Sequence, residues 1–176
     1  DNYLDLNDLK KIKTLSKIKG DISPDLFEDD LTKSTLSSIR AMKEIQVENG
    51  EKACNRYIIS NNQSALNILE VFTMFRLSNW DNPTVDIVPL FETVSDLKVA
   101  SKVMDLVYSN PIYKKHLERR KNQQTIMLGF SDGTKDGGYL MANWSILKAK
   151  EALTSISRKH GIKVIFFDGR GGPPAR

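Results

Sequence analysis

The chain has 176 residues, and its 26 lysines and arginines against 22 aspartates and glutamates give a formal net charge of +4. Apolar residues make up 40% of the chain, which argues against intrinsic disorder, and no apolar run reaches the roughly 18 residues that a membrane-spanning helix needs. A single cysteine, Cys54, excludes an internal disulfide and fits a reducing compartment, so we expect a cytoplasmic protein. The charge is spread along the chain, so neither nucleic acid nor a membrane is expected as a partner.

The first 49 residues predict a helical N-terminal segment. Apolar residues recur about every third position until a stop at Gly20, and a break follows around Pro24. A second helix is expected from near Ser34 to Gly50. We expect both helices to pack or to present a solvated basic face rather than to bind a ligand.

From residue 50 onwards, strands are predicted to alternate with helices. The strands are expected at 56–60, 85–91, 124–130 and 163–167. Helices are expected from Ser64, from Ser95, from Asn110-Pro111 to about Lys121, and through Trp144 to a stop at Gly161, with a loop at 131–138. Apolar strands separated by helices indicate a parallel sheet covered on both faces, so the fold class is α/β. This pattern fits either a doubly wound sheet or half of a (β/α)8 barrel.

Polar residues follow each predicted strand at once. Glu92 follows the second strand and Asp132 the third, and the carboxyl ends of parallel strands meet on one face. Two carboxylates from neighbouring strands suit Mg²⁺ or Mn²⁺. Alternatively, each could accept hydrogen bonds at the N-terminus of the next helix. The spacing alone leaves both interpretations open.

Two glycine-rich segments could bind an anion. The segment 131–138 contains Lys135 and could present backbone N–H groups to an anion, although it lacks the Walker spacing and could be a plain loop. The second segment is Gly169-Arg170-Gly171-Gly172, in which the glycines would let the backbone approach a ligand closely. The arginine guanidinium matches phosphate or carboxylate oxygens. An RNA-binding Arg-Gly-Gly segment and a hinge without a ligand are the alternatives there.

The remaining reactive or aromatic side chains are interpreted as structural. His116 and His160 are expected at the surface or at helix C-termini rather than in catalysis. Cys54 is expected to be a buried thiol, and both tryptophans, Trp80 and Trp144, are expected to pack in the core.

Four segments, taken in order, resemble the bacterial type of the phosphoenolpyruvate carboxylase family. They are Tyr57–Ser60, Val88–Thr93 with Asp96-Leu97, Gly129–Asp132 with Lys135–Gly138, and Phe167–Gly172. Pro-Leu-Phe-Glu-Thr and Ser-Asp-x-x-Lys-Asp are highly specific as a pair, and the resemblance covers roughly residues 50–176. Residues 1–49 are not placed by any motif.

The resemblance implies an internal fragment of a much longer enzyme. The chain opens at Asp1 without a methionine and stops at Arg176 inside a Gly/Pro-rich loop that follows a strand-like run, which fits the same interpretation. The implied fold is a helix-rich partial (β/α)8 TIM-type barrel of about four parallel strands, with residues 1–49 as a helical segment and 50–176 as the partial catalytic barrel. The isolated piece is expected to be inactive, since the family's catalytic histidine lies in an earlier segment that this chain does not contain.

The resemblance also implies an activity and a site. The family joins bicarbonate to phosphoenolpyruvate, through carboxyphosphate and an enolate, and gives oxaloacetate and phosphate; the parent is expected to be a homo-oligomer, a tetramer by resemblance. Glu92 and Asp132 would bind Mg²⁺ or Mn²⁺. Arg170 would bind the substrate phosphate or carboxyphosphate, and Arg176 would close the glycine-rich loop. Asp168 stands where the family usually has histidine, and a carboxylate there could orient Arg170.

Two rival functions remain open. One is another metal-dependent (β/α)8 carboxylase or lyase that acts on an enolate. The other is a non-catalytic basic module that binds RNA through its lysines and the Arg-Gly-Gly segment. The single copy of that segment argues against RNA binding.

Overall fold

Helices and strands alternate through most of the chain in the computed structural model. The structure describes residues 2–129 and 131–169, with the side chains of 2–129 and 138–169. The helices are α1 (Asp8–Leu15), α2 (Asp30–Asn49), α3 (Ala65–Leu77), α4 (Val94–Ser109), α5 (Pro111–Arg119) and α6 (Ser131–Lys159). The strands are β1 (Arg56–Ile59), β2 (Asp86–Phe91), β3 (Gln123–Gly129) and β4 (Lys163–Gly169). Within these described ranges, no helix has the length and apolar character needed to span a membrane.

The four strands form one parallel sheet whose spatial order, β1-β2-β3-β4, is the order of the chain. Phe91 of β2 lies opposite Leu128 of β3, and Gly129 lies opposite Gly169 of β4. A doubly wound sheet reverses its strand order at a switch point, and these strands do not. The predicted α/β class with four parallel strands is therefore confirmed, and the arrangement is consistent with part of a helix-rich barrel.

The chain divides into two compact units. One comprises the chain up to Arg56 together with Leu69–Asp86, and the other comprises Tyr57–Ile68 together with the chain from Ile87 onwards. The division passes through α3.

The first unit buries apolar side chains from α1, α2 and the second part of α3. The buried residues include Leu15, Leu36, Ile39, Met42, Phe72 and Phe75. The Arg76 guanidinium donates to the carbonyl oxygens of Leu15 and Ser16, at 3.3 and 3.4 Å. Because these bonds satisfy the carbonyls at the end of α1, they hold that helix end against α3.

Helix boundaries in the first unit differ from the predicted ones. The helix α1 ends at Leu15 rather than Gly20, and the Ser16 hydroxyl donates to the Ile12 carbonyl at 2.8 Å. The helix α2 begins at Asp30 rather than near Ser34, because the Asp29 carboxylate accepts the Thr32 N–H at 2.7 Å and caps the helix. The predicted end of α2 at Gly50 is confirmed, with a φ of 83° that favours glycine.

In the second unit, the central strands are buried on both faces. The buried side chains of β2 and β3 include Ile87, Val88, Phe91, Ile126 and Leu128. The helix α4 packs against α6, and the predicted start of α5 is confirmed: the Asn110 side chain accepts N–H bonds from Ile112 and Tyr113, with Pro111 next. Burial of apolar side chains from both sheet faces provides the main driving force for this unit.

The predicted loop at 131–138 is wrong. The backbone is helical from Ser131, and α6 consists of two helical stretches that meet at a kink at Gly138, where φ is 77° and ψ is 165°. Glycine in a helix costs only about 1 kcal/mol relative to alanine, so Gly133 and Gly137 do not prevent helix formation, whereas the helix kinks at Gly138.

Three side-chain predictions are also corrected. His116 lies in the last turn of α5, as predicted, but its side chain is buried at 1% exposure beside Tyr113, with the ring centroids 5.4 Å apart. Trp144 is 55% exposed rather than packed in the core, because it lies on an outward face of α6, whereas Trp80 is buried beside Phe75. Cys54 is only half-buried, since it follows a short 3-10 helix in a connecting segment.

Candidate active site

The carboxyl ends of β2, β3 and β4 lie side by side, and glycines bring their backbones close together. A Cβ atom on Gly129 would lie 2.9 Å from the Glu92 Cα and 3.3 Å from the Glu92 carbonyl oxygen. A Cβ atom on Gly169 would lie 3.1 Å from the Leu128 carbonyl oxygen. The 2.9 Å distance is shorter than real Cβ contacts, so a side chain at position 129 would push the backbones of β3 and Glu92 apart. No role for Gly129 was predicted from the sequence. A glycine at the end of an apolar strand was the signal that could have indicated a close backbone contact there.

Glu92 is half-buried directly after β2, and its Oε1 accepts the Asn61 backbone N–H at 2.9 Å. The alternative role for Glu92 was to accept hydrogen bonds at the start of the next helix. Thr93 and Asp96 fill that role, because the Asp96 N–H donates to the Thr93 hydroxyl at 3.1 Å and the Thr93 N–H donates to the Asp96 carboxylate at 3.0 Å. The start of α4 is therefore capped without Glu92.

The segment after β1 reaches the same end of the sheet. Asn61, the second residue after β1, contacts Glu92 and has a left-handed backbone with φ 50°. Its neighbour Asn62 is fully buried, and its side-chain amide has no hydrogen-bond partner among the described residues. A buried amide without a partner costs about 1–3 kcal/mol, so Asn62 is a functional candidate that sequence reasoning missed. No pattern in the sequence distinguishes it from a loop residue.

The structure describes Asp132 only through its backbone. It is the second residue of α6, three positions after the end of β3, and therefore lies at the same edge of the sheet as Glu92. Within the described side chains, no group of three or more histidine, cysteine, aspartate or glutamate residues could hold a metal ion.

Asp168 is the penultimate residue of β4, and its carboxylate pairs with α6. Its Oδ1 lies 2.7 Å from the Lys150 Nζ, which also lies 5.7 Å from the centroid of the Phe166 ring. Phe166 and Asp168 are two residues apart and so share one face of the strand. The carboxylate at this position is therefore held by a lysine that sequence reasoning did not single out. Arg170 and Arg176 lie outside the described residues.

Comparison with known proteins identifies the family. The family model described as phosphoenolpyruvate carboxylase matches residues 1–176. The chain belongs to the phosphoenolpyruvate carboxylase family. This membership confirms the resemblance and extends it to residues 1–49, which no motif had placed.

Three bacterial relatives carry the name phosphoenolpyruvate carboxylase. The protein of Nitrosomonas europaea is 38% identical over 99% of this chain and 20% of its own length. That of Gloeobacter violaceus is 34% identical over 94% of the chain and 18% of its own length, and that of Nitrosomonas eutropha is 39% identical over 84% and 16%. The chain thus spans about a fifth of the length of these relatives.

Proposed function

We propose that this chain is part of a phosphoenolpyruvate carboxylase, which joins bicarbonate to phosphoenolpyruvate and releases oxaloacetate and phosphate. The observation that carries the proposal is the environment of the Glu92 side chain. Glu92 lies at a strand end, takes no part in the cap of α4, and accepts a hydrogen bond from the Asn61 N–H. The family match over the whole chain and the names of the three relatives support the same activity. The isolated chain is proposed to be inactive, because it spans only about a fifth of those relatives.

The proposed metal ligands are Glu92 and Asp132. Both positions lie at one edge of the sheet, and carboxylate oxygens are the donors that Mg²⁺ and Mn²⁺ prefer, so the residues fit such an ion. A bound ion would stabilise negative charge that develops on the enolate oxygen. The half-buried setting of Glu92 strengthens this electrostatic stabilisation, because the effective dielectric constant is lower there than in water.

The proposed phosphate-binding residue is Arg170, which follows β4. A bicarbonate oxygen attacks phosphorus while the bond from phosphorus to the enol oxygen breaks, which gives carboxyphosphate and the enolate. The enolate carbon then bonds to the carboxyl carbon, and phosphate leaves. The guanidinium of Arg170 matches the phosphoryl oxygens on which charge develops, and Arg176 is proposed to close the glycine-rich loop. Exclusion of water by that loop would protect carboxyphosphate from hydrolysis.

The proposal includes the architecture and the assembly. Residues 1–49 are proposed as a helical segment that precedes a (β/α)8 barrel, to which residues 50–176 contribute four strands. Sequential order in a parallel sheet supports this, since barrel strands follow the order of the chain. The parent is proposed to be a cytoplasmic homo-oligomer.

The test uses the full-length protein and measures phosphate and oxaloacetate together. Arg170→Gln is expected to lower kcat about 10²–10³-fold, because charge on the phosphoryl oxygens loses its partner. Arg119→Gln is the matched control, since Arg119 is exposed at the end of α5, and we expect it to keep the wild-type rate. Unchanged turnover in Arg170→Gln would contradict the assigned role. Wild-type protein that forms no oxaloacetate would favour another enolate enzyme.

A further inference from the structure

We propose that Asn61 is a positioning residue for Glu92, and that its left-handed backbone fixes which carboxylate oxygen remains for the metal. The proposal rests on the proposed function of Glu92. The Asn61 N–H donates to the Glu92 Oε1 at 2.9 Å across the ends of two strands. A hydrogen bond to an ionised carboxylate is roughly twice as strong as one between neutral groups. Oε1 is thereby oriented, and Oε2 is left to act as the ligand atom.

The left-handed backbone of Asn61 turns the chain after β1 at the residue whose N–H reaches Glu92. Its φ of 50° lies in the left-handed region, which asparagine tolerates better than most residues and β-branched residues rarely adopt. Every residue except proline supplies a backbone N–H, so the side chain at position 61 matters through the conformation that it permits. A valine there would favour an extended backbone and move the donor away from the carboxylate.

The rest of the β1–α3 connection stabilises this conformation. The Gln63 side-chain amide donates to the Asn61 Oδ1 at 3.2 Å. Gln63 and Ser64 in turn donate their N–H groups to the Asn67 Oδ1, at 3.2 and 3.0 Å. The segment is therefore tied to the start of α3 by hydrogen bonds, which limits the positions that the Asn61 N–H can take.

The effect of replacing a residue that orients a metal ligand can be measured as a change in metal affinity. Loss of such a partner typically weakens metal binding 10–100-fold. We expect Asn61→Val to weaken Mn²⁺ binding to the full-length protein about tenfold. Asn61→Gly, which adopts the left-handed conformation without strain, is expected to restore affinity to within about twofold of wild type.

Asn122 provides a matched control. It is also an asparagine with a left-handed backbone, at φ 51°, but it lies before β3, at the opposite end of that strand from Glu92. We expect Asn122→Val to lower stability without changing Mn²⁺ affinity. Equal Mn²⁺ affinity in wild type, Asn61→Val and Asn122→Val would overturn the proposal.

Amide hydrogen exchange in the 176-residue chain tests the hydrogen bond independently of any metal. The Asn61 amide is expected to exchange at least about tenfold more slowly in wild type than in Glu92→Ala, because the bond protects it. Equal rates would overturn the proposal even if Asn61→Val binds Mn²⁺ weakly. If Glu92→Gln keeps wild-type Mn²⁺ affinity, the metal role of Glu92 fails, whereas the exchange rates still decide whether Asn61 holds its carboxylate.

Discussion

Gly129 brings the backbone of β3 against the residue that we propose as a metal ligand. Replacement by alanine would place a Cβ atom 2.9 Å from the Glu92 Cα, a contact with backbone that cannot rotate away. We expect Gly129→Ala to lower the free energy of unfolding by about 1–3 kcal/mol, measured by chemical denaturation, and to weaken Mn²⁺ binding. Gly20→Ala is the control, since nothing lies within 4 Å of its added Cβ. Equal effects of the two substitutions would contradict the assigned contact.

Lys150 pairs with Asp168, close in sequence to the proposed phosphate-binding residue. It holds the Asp168 carboxylate at 2.7 Å, and Asp168 is two residues before Arg170. If the lysine charge is removed, the carboxylate is free to pair with the arginine and to compete with substrate phosphate. We therefore expect Lys150→Met to raise the KM for phosphoenolpyruvate severalfold in the full-length protein, with stability changed by less than about 1 kcal/mol because the pair is partly exposed.

Two further variants separate this effect from the loss of a surface charge. Lys148→Met removes a neighbouring lysine that pairs with Glu151 at 2.9 Å, and we expect its KM to match that of wild type. Adding Asp168→Asn to Lys150→Met removes the competing carboxylate and is expected to lower the KM again. A KM that stays high in the double variant would show that competition for Arg170 is not the cause.

At the scale of elements, an ion pair that responds to acid joins α4 to His160, the residue directly after α6. The His160 Nε2 lies 2.6 Å from the Asp105 Oδ1, and Lys159 lies 3.9 Å from the same oxygen. The hydrogen bond to His160, with the Lys159 charge, holds the pKa of Asp105 below its usual value. Ionised Asp105 therefore stabilises the folded state above the unfolded pKa of about 3.9, and this contribution is lost as the pH falls through the lower folded value.

The prediction is measured as the difference in unfolding free energy between wild type and Asp105→Asn. We expect wild type to be the more stable at pH 5 and the difference to shrink as the pH falls below about 4. Beneath this pair, the buried Tyr108 hydroxyl lies 3.2 Å from the Ser157 hydroxyl, and burial raises the pKa of Tyr108, so the tyrosine stays neutral throughout that range. A constant difference between pH 5 and pH 2 would exclude the pair as the source.

Sequence patterns predict elements well where a local signal dominates. Asn110-Pro111 and Gly50 each specify a helix boundary through their own backbone preferences, and both predictions are confirmed. The boundary of α1 is not local, since Arg76, distant in sequence, binds its last carbonyls. The segment 131–138 was predicted as a loop from its glycines, but only Gly138 leaves the helical conformation.

In the candidate site, too, the local features are predictable from the sequence and the contacts between distant residues are not. Glu92 is predictable because a polar residue directly after a buried parallel strand lies at the carboxyl edge of the sheet. Its contacts are not predictable, because the bond from Asn61 depends on the left-handed turn after β1 and the closeness of Gly129 depends on strand register. Metal binding by Glu92 and Asp132 stays a prediction.

At the scale of the whole molecule, the chain exposes large apolar side chains on α6 and β4. They are Tyr139, Leu140, Met141, Trp144, Leu147, Ile165 and Phe167. Clusters of exposed apolar residues favour association. We expect the isolated 176-residue chain to self-associate, with a light-scattering mass that rises with concentration, and Leu140→Lys to reduce this rise. A monomer mass at every concentration would contradict the expectation.

The most direct test of the proposed metal site is calorimetry of Mn²⁺ binding to the 176-residue chain, compared with Glu92→Gln and Asp132→Asn. Asp105→Asn is the control, since it removes a carboxylate that already pairs with His160. We expect wild type and Asp105→Asn to bind Mn²⁺ equally, and each of the other variants to bind at least about tenfold more weakly, because each loses one charged ligand. Wild-type affinity in either Glu92→Gln or Asp132→Asn would contradict the assignment of that carboxylate to the metal.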